Sequence, residues 1–261
     1  MRDEGTDMPL SKRRALLRDV RRLVLVAVLI LTGRSVLADW YVVPTGSMKP
    51  TILEGDSVFV LKAAYQVRVP FSSVRLFSTG APKRGDVVVI RNPDGETVPF
   101  VKRLVGLPGD TVELRDGALF VNGQAQPVRF LPSVTDATGQ EVLLGTERLN
   151  GNPHPVRVVP GLPSAARTWG PVVVPYGEVL VMGDNRDESR DGRYFGTRPV
   201  SDLLGRAVGV MWSWQTPWQR GPRLNRFVRP FVTEVPPRHT RRVKWPCFNA
   251  GGSRGPCGRL R

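Results

Sequence analysis

Near the start of the chain an uncharged run, LVLVAVLILTG from Leu23 to Gly33, follows a band of cations: Lys12, Arg13, Arg14, Arg18, Arg21 and Arg22. Arg34 interrupts it, and SVLADWYVV carries the apolar character on to Val43. The uncharged run is shorter than the ~20 residues a spanning helix needs. Extended to residue 41 it is long enough, provided that Arg34 and Asp39 sit at an interface, where Arg snorkels and where Trp40 and Tyr41 belong. The pattern predicts a basic cytoplasmic segment over 1–22 and a transmembrane signal-anchor over 23–41, with the rest of the chain outside. A cleaved signal peptide is the alternative, but no clean small-x-small site follows the apolar run.

Beyond Pro44 the period changes. Short β-branched runs, separated by Gly, Pro and Asp, occupy 57–65, 86–92, 97–107, 111–123, 177–185 and 205–212. Asp116-Gly117 between two of them is a hairpin signal. Short strands joined by turns, without βαβ alternation, predict a mainly β fold: an antiparallel β-sheet domain over 42–215, preceded by one helix. Residues 124–171 turn Pro/Gly-rich and lose periodicity, which predicts an insertion or small subdomain with weak strands. Residues 216–261 show no apolar face and read as a disordered basic tail.

Charge sharpens this division. The formal net charge is +15, of which residues 218–261 hold eleven Lys or Arg against Glu234, a net of +10. The basicity is therefore a property of the tail. Both cysteines, Cys247 and Cys257, lie there too, so the body relies on neither a disulfide framework nor a Cys-based zinc site. The pair may be read equally as a disulfide or as two thiols. His154 and His239 are the only histidines, in Pro-rich and Arg-rich surroundings. Those segments read as mobile, which argues against a His-based triad.

Three stretches carry candidate chemistry. PTGSMKPT places Ser47 between Gly46 and Met48, with Pro44 and Pro50 fixing the backbone on either side. A serine among small residues is by default a turn residue; as a nucleophile it needs a base. Lysine serves if burial lowers its pKa. Lys102 in VPFVKRLVGLPGD is a lone charge in an apolar strand, on the face of Phe100 and Leu104, with Arg103 on the other. Its bland reading is a lysine that blunts an edge strand. GDNRDESRDGRYFG, from Gly183 to Gly196, has three aspartates, but EF-hand spacing fails and no terminal Glu is in register. Pairs among Asp184, Asp187, Asp191, Arg186 and Arg193 read instead as a rigid loop bracing a site.

Together, in this order and behind an N-terminal apolar segment, these stretches resemble the bacterial type I signal peptidases, membrane-bound Ser-Lys proteases that remove signal peptides from exported proteins. The resemblance covers Leu23 to about Trp212 and leaves the tail out. It implies Ser47 as nucleophile and Lys102 as general base. It gives Thr45 to the oxyanion hole with the Ser47 N–H, and Ser189 to orienting the lysine amine. Asp191 with Arg193 becomes a structural ion pair, and Met48 packs beside the nucleophile. Gly192 and Arg190 depart from the commonest pattern, where serine and a small residue are frequent. The resemblance also implies an all-β domain on the outer face of the bacterial cytoplasmic membrane, in contact with lipid. Its substrates are signal peptides with small residues one and three positions before the cut, and it implies no metal or organic cofactor.

Two other readings compete. The self-cleaving repressors share a Gly-x-Ser-Met turn but need a DNA-binding N-terminal domain. A membrane-tethered binding module would use the basic tail on nucleic acid or another anionic surface; the peptidase reading expects no nucleic acid. Removal of everything after Gln215 separates them, since a peptidase is expected to survive it.

Overall fold

The structure is a computed structural model and describes residues 10–69, 72, 74–162, 165–215, 221–231, 247–248 and 254–255. Helix α1 (Leu10–Val36) leads into β1 (Ala38–Val42) and β2 (Asp56–Leu61), an antiparallel pair. A small hairpin, β3 (Gln66–Arg68) with β4 (Arg75–Ser78), precedes β5 (Val87–Ile90) and β6 (Phe100–Gly106). Next comes the hairpin of β7 (Thr111–Arg115) and β8 (Ala118–Val121), extended by β9 (Gln124–Ala125). A separate sheet follows, made of β10 (Val128–Phe130), β11 (Val134–Thr135), β12 (Glu141–Leu149) and β13 (Asn152–Val158). β14 (Trp169–Val173) returns to β7. β15 (Glu178–Met182), the short helix α2 (Gly192–Phe195), β16 (Arg198–Pro199), β17 (Leu203–Ser213) and β18 (Arg229–Pro230) follow, and β19 (Cys247–Phe248) pairs with β20 (Arg254–Gly255).

The main sheet runs β1-β2-β17-β5-β6-β15-β16, with β18 added to β17, and every pairing is antiparallel. The mainly β, antiparallel expectation is met. Alternation explains the central strands: Val87 and Val89 enter one core with Val43, Met48, Ile52, Val58 and Val101, while Val88 and Ile90 enter another with Leu104 and Leu203. A strand buried on both faces reads as an unbroken VVVI run. At the β7–β8 hairpin Asp116 and Gly117 take φ of 50° and 84°, the left-handed pair that a tight hairpin turn requires.

Three expectations need correction. The apolar N-terminal stretch does not stay helical to residue 41: the helix ends at Val36, and Ala38–Val42 is a strand that spends its backbone groups on β2. What remains of the helix mixes cations into its first half. Among the described residues no helix is long and apolar enough to cross a membrane.

The stretch 124–171 is not weakly stranded. β12 and β13 form a hairpin with a continuous register from Leu143↔Val158 to Leu149↔Asn152. Its turn is Asn150-Gly151, at φ of 52° and 85°, the same signal as Asp116-Gly117. Pro153 and Pro155 obscured it, because proline ordinarily argues against a paired strand. Leu149, Val156 and Val142 bury themselves there. The tail, finally, does not begin at residue 216: residues 221–231 are placed on the body, where Gly209 and Val210 pair with Pro230 and Arg229. Residues 216–220, 232–246 and Cys257 lie outside the described residues.

Gly205 marks a close approach between β17 and β2 in the main sheet. A Cβ there would lie 2.7 Å from the Leu61 carbonyl oxygen and 2.8 Å from a Val60 methyl, contacts that backbone cannot yield cheaply. Gly205→Ala is expected to lower stability by about 1–3 kcal/mol, read as a lower urea midpoint at unchanged m-value.

Candidate active site

Ser47 sits in a turn between β1 and β2, not in a strand. Met48 and Ile52, both fully buried, anchor that turn in the core. The turn closes on itself through Lys49 N–H to Gly46 O (3.0 Å) and Ile52 N–H to Met48 O (3.0 Å). Anchoring on the apolar side leaves Ser47 at the rim, 9 % exposed.

Lys102 reaches the same point from β6. Its Nζ lies 2.7 Å from Ser47 Oγ and 5.0 Å from the centre of the Phe100 ring, and the residue is only 3 % exposed. Burial pulls its pKa from 10.5 down to about 8; the carboxylates of Asp191 and Asp184 oppose this and Arg193 assists. Holding the ammonium form there costs on the order of 3 kcal/mol relative to water. At pH 7 roughly one molecule in ten carries the neutral amine, which can accept the proton of a hydroxyl within hydrogen-bond reach.

The loop after β15 holds the nucleophile turn by its backbone. Asn185 N–H donates to Ser47 O (3.1 Å), and Asn185 Nδ2 donates to Gly46 O (3.1 Å). Asp184, almost wholly buried, accepts from Thr51 Oγ1 and from Arg103 Nε and Nη2, both at 2.7 Å. Arg103, on the opposite face of β6 from Lys102, thus ties the base's strand to the nucleophile's turn. Burial pushes the Asp184 carboxyl up, but the Arg103 guanidinium and the Thr51 hydroxyl outweigh it and leave the pKa lowered. Asp191 and Arg193 form the expected ion pair, with two contacts of 2.8 Å. Asp191 also accepts from Gly183 N–H and caps α2.

Other partners are not those expected. Arg186 pairs with Glu147 of β12, and Asp187 pairs with Arg167. Both bonds join the loop to elements that sequence adjacency does not suggest. His154 lies in β13 and is not mobile: it is 3 % exposed, with Nε2 3.2 Å from Glu147 Oε2. Its pairing is with Glu147, not Ser47. Burial raises the Glu147 pKa, but Arg186 and His154 hold it down at about 2.

Ser189 is buried, yet its hydroxyl has no hydrogen-bond partner among the described residues, Lys102 included. It packs on Gly183, where a Cβ would meet Ser189 Oγ at 2.1 Å and Ser47 O at 2.5 Å. Thr45 is exposed, two residues ahead of Ser47. Gly192 has a packing reason, since a Cβ there would lie 2.6 Å from Leu180 Cδ1. Arg190 pairs with Asp94 at the surface. Beside the turn lies an open polar cleft of about 270 Å³, lined among others by Gly46, Lys49, Glu54, Asp136, Arg157 and Asn185. The residues missed in the sequence, Asn185, Arg103 and Thr51, act through backbone or across strands and leave no spacing signal.

The structure thus brings a buried amine against a rim serine whose turn is held by the loop after β15. The family described as signal peptidase, peptidase S26 matches residues 16–212. The chain is 36% identical over 203 residues to signal peptidase I of Pseudomonas fluorescens, covering 74% of this chain and 71% of that one. It is 35% identical over 210 residues to signal peptidase I of Pseudomonas aeruginosa, with the same coverage. To signal peptidase I of Rickettsia typhi it is 33% identical over 209 residues, covering 74% and 79%. The chain belongs to the signal peptidase S26 family and is a serine peptidase.

If Lys102 serves as the base, only its neutral amine is competent, and kcat/KM on a peptide is then expected to rise with pH through about 8 and to level off above it. A pH–rate profile between 5.5 and 10.5, chosen to span the roughly two-unit window on either side, checks it. A flat profile below about 7 would separate Lys102 from the rate.

Proposed function

We propose that this protein removes signal peptides from exported preproteins, with Ser47 as nucleophile and Lys102 as general base. The observation that carries the reading is the 2.7 Å contact between Lys102 Nζ and Ser47 Oγ at a site buried enough to lower the amine's pKa to about 8. In that role Lys102 takes the Ser47 proton as Oγ attacks the scissile carbonyl. The resulting oxyanion faces the Ser47 backbone N–H and the Thr45 hydroxyl. Lys102 then returns the proton to the departing amine, leaving an acyl-enzyme. Water, deprotonated by the same amine, hydrolyses the ester. Ser189 and the Asp191–Arg193 pair hold the lysine's surroundings, and Met48 keeps the turn seated.

The second part of the proposal concerns the membrane. On α1, Leu23, Val24, Leu25, Val26, Val28, Leu29, Ile30 and Leu31 are all more than half exposed, an apolar surface that lipid would cover. We assign α1 to a bacterial cytoplasmic membrane as anchor, with the β body on the outer face. Arg34 stacks over Trp40 at 3.9 Å and bonds Asp39, at the junction of helix and sheet. Such a mixture suits an interface.

Ser47→Ala is expected to abolish cleavage of a preprotein in detergent while leaving the fold intact; N-terminal sequencing of the product reports the cut. Lys102→Arg is expected to be inactive across the ordinary pH range, because a guanidinium stays protonated there. Retained wild-type activity in either variant removes that residue from the mechanism. Thr45→Val is expected to lower kcat by an amount equivalent to about 2.7–4 kcal/mol. A chain beginning at Leu37 keeps β1 whole and is expected to cleave short peptides normally but to slow on preproteins in lipid vesicles. Equal rates on both substrates would dismiss the tether.

A further inference from the structure

Asp56, the first residue of β2, is wholly buried, and the cations that meet it among the described residues come from beyond the β body. Arg226 Nη2 and Nε contact its two carboxylate oxygens, and Arg223 Nη2 lies 3.4 Å from one of them. The same two guanidinium groups take backbone carbonyls from the segment that carries the nucleophile. Arg226 Nη2 donates to Thr51 O at 3.0 Å, and Arg223 Nη2 donates to Glu54 O. Ser213 Oγ bridges the two partners, 2.6 Å from Asp56 Oδ1 and 2.6 Å from Arg223 Nε. Asp56 Oδ2 accepts from Leu53 N–H at 2.8 Å. Phe231 packs on the core cluster that contains Met48 and Ile52. Only about 10 Å³ of free space remains at the seam among Thr51, Val210, Arg226 and Phe231.

We propose that residues 221–231 are a strap that positions the nucleophile turn, with Arg226 as its principal positioning residue. The proposal rests on the Ser47–Lys102 reading above. Mechanically, the strap fixes the far end of the 47–56 segment. Thr51, whose carbonyl Arg226 holds, sends its hydroxyl to Asp184, and Asp184 is gripped by Arg103 beside Lys102. Slack in the strap therefore shifts Ser47 relative to the amine. An arginine suits the task, since one planar fork serves a carboxylate and a carbonyl together, which a lysine's point charge does less well. Removal of everything after Gln215 is then no longer a neutral change. It leaves the Asp56 carboxylate buried without its cations.

The test compares full-length wild type, Arg226→Ala, Arg226→Lys and the double variant Asp56→Asn/Arg226→Ala. Each is assayed in detergent on a peptide with alanine one and three positions before the cut, alongside its urea midpoint. Arg226→Ala is expected to lower kcat by roughly ten- to hundred-fold with KM within about twofold, and to lower the midpoint. Adding Asp56→Asn removes the uncompensated charge. The midpoint is then expected to recover while kcat stays low, because the bond to Thr51 O is not restored. Arg226→Lys is expected to keep the midpoint and show an intermediate kcat. Recovery of kcat together with the midpoint in the double variant would make Arg226 merely structural and overturn the proposal, as would wild-type kcat in Arg226→Ala. Ser47→Ala run beside these keeps the two readings apart: its inactivity with strap variants at full kcat sinks the strap alone, whereas its activity sinks the dyad.

Discussion

A lysine amine kept from water against a serine hydroxyl is the arrangement on which the rest of this structure depends. An ammonium group strongly prefers solvent, so Lys102 must be enclosed on every side by groups that neither hydrate it nor pair with it closely. Phe100 covers it from its own strand, and the nearest carboxylates already belong to arginines: Asp184 to Arg103 and Asp191 to Arg193. Were either carboxylate free to pair with Lys102, the amine's pKa would sit higher and less of it would be neutral. The ion pairs around the site thus do two things, bracing the loop and keeping its acids occupied.

The same logic runs through the interior. Glu147 goes to Arg186, Asp187 to Arg167 and Asp56 to Arg226, and each pair joins segments far apart in the chain. Breaking one side of such a pair typically costs about 3–5 kcal/mol, because the partner stays buried and charged. Much of the chain's arginine excess is therefore internal cross-bracing, and part of the supposed tail takes part in it. Arg223 and Arg226, counted as free basic charge along the sequence, are committed to Asp56, so they are not available to an anionic partner.

The N-terminal helix is built on different terms. Its apolar residues face outward with no protein over them among the described residues, while the strand that follows is stitched to β2. Helix and catalytic body meet at the Arg34–Trp40–Asp39 cluster. The chain passes from helix to strand within two residues, between Val36 and Ala38, and reaches Ser47 nine residues after that.

Local chemistry made much of this readable in advance. Period-two alternation, Asp116-Gly117 and the VVVI run follow from steric rules that act within a few residues, so the antiparallel class and most main-sheet strands were legible. Lys102 stood out as a lone lysine in an apolar strand, whereas Ser47, ordinary as a turn residue, stood out through its flanking prolines and the company of the other two stretches. Partnership was not legible. Nothing in the spacing ties Arg226 to Asp56, Arg103 to Asp184, Asn185 to the carbonyl of Ser47 or His154 to Glu147, and the prolines of β13 hid a hairpin whose Asn150-Gly151 turn announced it. Sequence by itself determined which residues are able to do chemistry and which segments pair with their neighbours, because those are short-range properties. Only the tertiary structure decided which charge meets which, and that the amine arrives dry beside the hydroxyl, because burial and pairing exist only once segments more than fifty residues apart are packed together.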